Sequence, residues 1–581
     1  MSKLNVDQKT IKQLFTDNSP NFLIPDYQRP YAWEDDECQT LWDDIFNFAL
    51  PENNVDLFVK GDEYFLGAIV TFKNDDGKLE VIDGQQRLTT ILLLLRAFYD
   101  RFALMNDQRS TDLRRLISQC IWHTDEFGNA DTKQLKIDSE VATDDEKEEF
   151  LEILRSGTVS ASANSKYVIN FRFFQKKINT FVEEYPTYFQ FLPARILNNC
   201  ILLPIEADSQ DTALRIFSTL NDRGLPLADA DIFKAQFYKY YNKKNQKDEF
   251  IENWKSLTTD ADEIFKPIVG TPMDELFTKY MYYIRASEDI KLSTTEALRK
   301  FYEHDNYRRL LKENTILDLL SLVKFWKQVA EQDRTLFSEK VLQLLFVLKY
   351  APNSMWEYIT SVYYFSFKDD EDVLNNDEFA KFLSKITAFI FAYALTNPGV
   401  NALRTPVYAE MIKLYSGERC TFENFRFDEK SVRNALDNYR FTNNRPITRS
   451  LITWYAFTFE DQELPPLNSR FQIEHIYASE RHNRENMLIN AGNLESLGNK
   501  ILLERSINIR ASDYRFEDKK KFYAGFVDAR GKENPCSMIE EYKTLIQQDD
   551  FSEKDILYRD KQIKDAFVEY LYKEDLIKNT F

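Results

Sequence analysis

Apolar runs and helical spacings alternate through the first third of the chain. EYFLGAIVTF, LEVI and CILLPIEA are too short for helices and read as strands. After LEVI the run breaks at Asp83-Gly84, and Leu88, Ile91, Leu92 and Leu95 then recur at helical spacing as one buried stripe. A strand therefore feeds a helix that starts at or just after Gly84. From about Leu225 to Arg449 nearly everything keeps helical spacing and is rich in Phe, Tyr and Leu, which predicts a helical middle segment. EDQELPPLNSR, with Pro465 and Pro466, reads as a linker. Beyond it FQIEHI and NKILL predict two strands around a polar loop, followed by a helical segment ending in lysines. The expected fold class is α+β and multidomain, divided as 1–224, 225–449 and 450–581. No period of repeat length runs through the chain, so a solenoid is not expected.

A chain of 581 residues is too long for one core. Only 14 Gly and 17 Pro argue against long disordered stretches and lean the expectation toward helix. Apolar runs such as Ile91 to Leu95 and Val341 to Leu348 fall short of the roughly 20 residues of a membrane span. MSKLNVDQKTIKQLF has no apolar secretory core, so a cytoplasmic location and no membrane partner are expected. Cys38, Cys120, Cys200, Cys420 and Cys536 are odd in number and form no C-x-x-C pair, which speaks against disulfides and structural zinc. A net charge of −19 argues against non-specific nucleic-acid binding by the whole surface. The exception is Lys500 to Lys532, where nine Lys or Arg against five Asp or Glu leave +4. Arg505, Arg510, Lys519, Lys520 and Lys521 are its candidate phosphate contacts.

That basic stretch adjoins the richest candidate chemistry. Of four histidines, His123, His304, His475 and His482, His475 stands out by its neighbours. A hairpin followed by a helix that together present Glu474, His475 and Asn508 would make a one-metal phosphodiesterase site. A hard cation such as Mg²⁺ or Mn²⁺ wants oxygen ligands, which Glu474 and Asn508 can supply. A neutral His475 could take a proton from an attacking water, with Asn499 holding the imidazole in its working tautomer. Neighbouring side chains on an ideal strand point to opposite faces, so this site demands a bend at the strand end. The plainer reading is a solvent-facing His475 among incidental asparagines.

The turn at Asp83-Gly84 invites a different ligand. Unpaired N–H groups at a helix start attract an anion, Gly84 leaves room for it, and Arg87 offers donors suited to phosphate. Asp83 could position a water or a metal, and Gln85 and Gln86 could bond the ligand without adding charge. The same turn reads equally as a plain helix start, with Asp83 as N-cap and Arg87 on the surface.

The order acid-His, then Gly-Asn before an apolar strand, a second Asn nine positions on and Phe-x-x-Lys at Phe516 to Lys519 resembles the HNH, or ββα-metal, nucleases. In particular it is similar to the C-terminal domain of the GmrSD-type, modification-dependent (type IV) restriction enzymes. The acid is Glu rather than the commoner Asp, and Tyr477-Ala478 replace a frequent proline. Upstream, FLIPDYQRPYAW, FLGAIV, IDGQQRL and ALRIFSTLNDRGLPLADADIFK resemble the ParB/sulfiredoxin-like DGQQR domain of the same family. The resemblance implies Glu474 and Asn508 as metal ligands, His475 as general base and Asn499 as the orienting residue. It also implies a nucleoside triphosphate lined by Asp83, Gly84, Gln85, Gln86 and Arg87, with Gln28 and Arg29 close by. Asn221, Arg223 and Gly224 fall in a third motif, where Gly224 also reads as a helix C-cap. The expected function is metal-dependent cleavage of modified foreign DNA gated by nucleotide hydrolysis, and a homo-oligomer is compatible with it. The alternatives are a nucleotide-regulated DNA-binding adaptor without catalysis, and a nuclease triggered by phosphorothioate DNA or a partner methylation system.

Overall fold

The structure, a computed structural model, describes residues 5–17, 20–141, 144–210, 212–213, 216, 228–267, 269–397, 399, 402–485 and 488–578. Asn221, Arg223 and Gly224 lie outside the described residues. The chain divides into two compact units, Met1–Lys255 and Ser256–Phe581, where the sequence pattern separates three segments. The difference arises because helical spacing identifies an element and not the core it joins. Helix Asp229–Lys243 belongs to the first unit, where Tyr238 donates to Asp26 (2.5 Å) and Lys234 to the Gln28 carbonyl (3.3 Å). The helices from Pro272 onward share the second unit with the C-terminal hairpin.

Among the described residues, the first unit is built on a seven-stranded mixed sheet. Its central strand, Tyr64–Lys73, runs parallel to Cys200–Ala207 on one side and antiparallel to Leu79–Asp83 on the other. Phe22–Ile24 then pairs parallel with Leu79–Asp83 and with Ile137–Ser139. The three runs read as strands are thus neighbours at the sheet centre. Helix Gln85–Ala103 leaves the strand Leu79–Asp83 through Gly84 and is buried on almost every side from Leu88 to Phe98, beside Gln108–Ile121 and Lys166–Glu184. A one-sided stripe understates this burial, because the helix is covered by sheet and by helices at once.

The second unit is helical up to Ala456. Helix Asn376–Thr396 is long and apolar enough in composition to cross a membrane, although Lys381 and Lys385 interrupt its apolar run. Most of its apolar residues, among them Phe379, Leu383, Ile386 and Phe389, are buried inside the unit, where it serves as a core helix. The linker around Pro465 then delivers the chain into Phe471–His475, which pairs antiparallel with Lys500–Glu504 in one unbroken register from Phe471 opposite Glu504 to His475 opposite Lys500. Helices Arg505–Ala511 and Phe516–Ala524 follow at once. The turn Leu497–Asn499 is seated under the last long helix, Glu553–Lys573. There Arg559 donates to the carbonyls of Leu497 (3.1 Å) and Gly498 (2.8 Å), and the Gly498 N–H donates to Asp560 (3.2 Å). A Cβ on Gly498 would lie 1.9 Å from the Ile556 carbonyl oxygen, so this position admits no side chain.

Candidate functional site

The ladder fixes which side chains meet. Gln472 and Glu474 share one face of the strand and His475 takes the other, in ordinary alternation. The bend that would bring Glu474 and His475 together is not made, because the Ile476 N–H extends the ladder to the Asn499 carbonyl (2.9 Å). On the first face Glu474 is buried, and its Oε1 accepts from Lys519 Nζ (2.5 Å) and Tyr523 OH (3.3 Å). Lys519, fully buried, also donates to the His475 carbonyl (2.6 Å). Burial pushes the Glu474 carboxyl up and the Lys519 ammonium down, each opposed by the charge of the other. Asn508 donates from Nδ2 to Gln472 Oε1 (2.8 Å), which leaves its own Oδ1 as an acceptor.

On the second face the imidazole of His475 sits among Lys500, Glu495 and Asn443. Lys500, its cross-strand partner and fully buried, donates to Asn443 Oδ1 (2.6 Å) and Glu495 Oε2 (2.9 Å), and its Nζ lies 2.9 Å from His475 Nε2. Glu495 Oε1 is 3.6 Å from the same ring nitrogen. Burial, and then the Lys500 charge, push the His475 imidazole down to about 4 against the pull of Glu495. Both ring nitrogens face a donor, the Lys500 ammonium 2.9 Å from Nε2 and the Asn443 amide nitrogen 3.5 Å from Nδ1; the closer and charged one sets the tautomer, with a lone pair on Nε2 and the proton of the neutral ring on Nδ1.

Two expected roles are corrected here. Asn499 does not reach the imidazole. Its Oδ1 accepts from the Tyr477 N–H (2.7 Å) and its Nδ2 donates to the carbonyls of Tyr477 and Leu494 (3.1 Å each), so it staples the loop that follows the strand. Lys519 does not face a nucleic acid either, because it is spent on Glu474. Lys520 caps the Gln548 carbonyl (2.7 Å), Arg510 bonds Asn534 (2.5 Å), and Lys521, mostly exposed, pairs with Asp518 (3.3 Å). Arg505 remains exposed without an acidic partner among the described residues.

The donors suit a hard divalent cation in kind, since Lys519 and Tyr523 both bond Glu474 Oε1 rather than Oε2, and Asn508 is bonded through its amide nitrogen rather than its oxygen. Among the described residues no three His, Cys, Asp or Glu side chains cluster as a ready-made metal cage. A cation here would rest on two protein oxygens and water.

In the first unit, Gly84 stands at φ 90° and caps the helix, with its N–H donating to Asp83 Oδ1 (2.7 Å). An added Cβ would meet Ile69 Cγ1 at 3.0 Å and the Ala68 carbonyl oxygen at 3.2 Å. Leu88 N–H is the first to bond back, to the Gly84 carbonyl (2.9 Å), which leaves the N–H groups before it at the helix mouth. Arg87 is not a surface residue. Its Nη1 donates to the Ala68 carbonyl (2.8 Å), and its guanidinium lies on Gly67, where a Cβ would come within 2.7 Å of Cζ. The three glutamines are spent on the chain itself rather than left for a ligand. Gln86 accepts from Ala32 N–H (2.7 Å) and donates to the Pro30 carbonyl (3.1 Å), Gln85 donates to the Arg29 carbonyl (3.3 Å), and Gln28 donates to those of Val81 (3.3 Å) and Ile82 (3.1 Å). These amides clamp the Gln28–Ala32 stretch over the turn. Burial pushes the Asp83 carboxyl up, opposed by the Gly84 N–H and by the charges of Arg87 and Arg29.

Residues 11–238 match the family model described as "GmrSD restriction endonuclease, N-terminal domain", and residues 426–566 the one described as "GmrSD restriction endonucleases, C-terminal domain". The chain belongs to the GmrSD restriction endonuclease family. It is also 24% identical over 251 residues to an uncharacterized protein of Methanocaldococcus jannaschii, a match covering 40% of this chain and 41% of that relative. The chain therefore spans less than half the length of that curated relative. Both GmrSD windows hold one of the two sites, and residues 239–425 fall outside both.

Within the GmrSD C-terminal window, Asn443, Glu495 and Lys500 escaped the sequence reading. Lys500 was the most accessible of them, because the residue opposite His475 in the hairpin follows from pairing the two strand-like runs. Asn443 had no local signal. Arg470 was also missed: its carbonyl accepts from the Arg505 N–H (2.7 Å), so the backbones of two exposed arginines are neighbours, neither with an acidic partner among the described residues. Arg440 and Arg445, exposed and equally unpaired, flank Asn443 in sequence.

Proposed function

We propose that this GmrSD protein is a metal-dependent DNA endonuclease of the restriction type, acting on modified foreign DNA and gated by a nucleotide at the Asp83 turn. The observation that carries the reading is the imidazole of His475, held neutral between Lys500 and Glu495 at the end of the hairpin. Nε2 offers its lone pair to an attacking water, and the other two bonds of Lys500 keep its ammonium in place when that water displaces it. Glu495, beside the same nitrogen, stabilises the imidazolium that results. Arg470 and Arg505 position the phosphate chain in an otherwise acidic protein. Glu474 and Asn508 would hold Mg²⁺ or Mn²⁺ on the face of the strand opposite His475, and the charge stabilisation that the ion supplies when bound would reach the same scissile phosphate once the strand end bends on DNA. The helix mouth at Gly84 and the guanidinium of Arg29 would hold the nucleotide phosphates. Nicking of modified and unmodified plasmids with Mg²⁺ or Mn²⁺ tests the site: His475→Ala is expected to lower cleavage by a hundredfold or more, and undiminished cleavage overturns the assignment. For the gate, Arg29→Ala is expected to lose DNA-stimulated nucleotide turnover.

A second reading is favoured by the buried Lys519–Glu474 pair, which already gives that carboxylate a cation. On this reading the hairpin grips DNA without cutting it. Calorimetric titration with Mn²⁺ separates the two, since binding lost in Asn508→Ala supports the nuclease and no binding at all supports the grip.

A further inference from the structure

One aromatic-lined cavity in the second unit belongs to neither site. A cavity of about 260 Å³ opens beside the linker, walled by Phe265, Trp326, Phe346, Tyr350 and Trp356, with Glu357 among its polar lining. Most of this lining falls in the stretch outside both GmrSD windows. Phe265, Trp326 and Trp356 are nevertheless buried at 4–7% exposure, so the wall is fixed rather than a loose surface.

Charge decides what the cavity can take. Behind it Lys279, fully buried, lies 5.1 Å from the ring centres of Phe265, Trp326 and Tyr358 and pairs with Glu275 (2.8 Å) and Glu357 (2.5 Å). The aromatic cage thus already holds a cation, which leaves no call for a quaternary ammonium or a second lysine. Two carboxylates against one ammonium leave a net negative charge behind the wall, which excludes a phosphate from the interior. Glu357 offers an acceptor to N–H edges, and the Trp356 indole N–H finds no acceptor among the described residues. At the rim Lys349 is exposed and has no acidic partner among the described residues. A neutral planar ring with N–H donors, carrying its anionic tail outside, meets every one of these conditions. The volume lies just under the range of drug-sized pockets, which suits one ring system and not a whole nucleotide.

From this we infer that the cavity binds a nucleobase, held against the Tyr350 ring and the exposed edges of the tryptophans with its phosphate at Lys349. The inference rests on the DNA reading above for the source of the base, one swung out of the duplex. Placement supports it. Phe346 meets Phe471 edge to face at 6.0 Å, and Arg449, lying 4.2 Å over the Tyr350 ring, donates to the Phe471 carbonyl (2.9 Å). Phe471 opens the strand that ends in Glu474 and His475, about 13 Å away at some 3.3 Å per residue. A filled cavity is therefore felt at the head of the catalytic strand.

The test uses the full chain carrying His475→Ala, in EDTA, so that cleavage plays no part. The probes are duplexes containing 2-aminopurine and, separately, free 2-aminopurine riboside. Saturable quenching with the duplex alone assigns the cavity to an extruded base of DNA, and comparable quenching with the riboside assigns the same chemistry to a free nucleotide. Ala330→Trp, which fills the mouth from an exposed rim position, is expected to weaken quenching about tenfold or more, the scale of one lost base stack. Its thermal midpoint should match that of the parent. Trp356→Leu should weaken quenching likewise. No quenching by either probe, or full quenching by Ala330→Trp, overturns the inference. Those outcomes leave the plasmid assay with wild type and His475→Ala untouched, so failure of the cavity and failure of the nuclease reading remain distinct.

Discussion

His475 is a histidine whose neighbours have removed it from its usual working range. With its value pushed down to about 4, the imidazole stays unprotonated at all pH values where an ordinary histidine would be half charged. The acid limb of the cleavage profile is therefore expected well below pH 6.5, and Lys500→Met should move it back toward the ordinary value by removing the ammonium charge. The same depression carries a stability term. Because the folded value lies below the unfolded one, the contribution is complete above about pH 6.5 and is lost as the pH falls toward 4. The stability difference between wild type and His475→Gln, followed by denaturant unfolding from pH 8 to 4, should narrow only in that window. Asn499 belongs at this scale too. Its amide makes three bonds to loop backbone and none to the imidazole, so Asn499→Ala should cost about 1–3 kcal/mol of stability, read as a lower midpoint.

At the scale of elements, a strand-turn-helix beginning at LEVI and a hairpin made from FQIEH and NKILL were both legible, because alternation and turn residues report backbone geometry. The partners of each polar side chain were not. DGQQR suggested ligand contacts for its glutamines, but Gln85 and Gln86 close on Arg29, Pro30 and Ala32, more than fifty residues upstream. Only the fold brings that stretch over the turn. Adjacent positions likewise put Glu474 and His475 together in sequence, while the pleat sends them to opposite faces. The latch between Arg87 and Gly67 was invisible for the same reason, and it makes a sharp expectation. Gly67 stands at φ 126°, so Gly67→Ala both strains the strand and evicts the guanidinium from Ala68. Unfolding of Gly67→Ala, Arg87→Ala and the double variant should be non-additive, the double costing less than the sum.

Across the whole molecule, an acidic chain with a few unpaired arginines predicts salt-sensitive and local contact with DNA. Arg470→Glu with Arg505→Glu should weaken DNA binding across all sequences and lower the slope of log affinity against log salt by about two, measured by fluorescence anisotropy. The seat of Gly498 under helix Glu553–Lys573 has a consequence in time as well as in space. The turn that leads into Lys500 is closed from above by a helix that is synthesised after the hairpin, so a nascent chain that has reached only the hairpin has the strands but not their lid. Cutting competence would then wait for that later helix, which keeps a chain halted at the hairpin from cutting DNA.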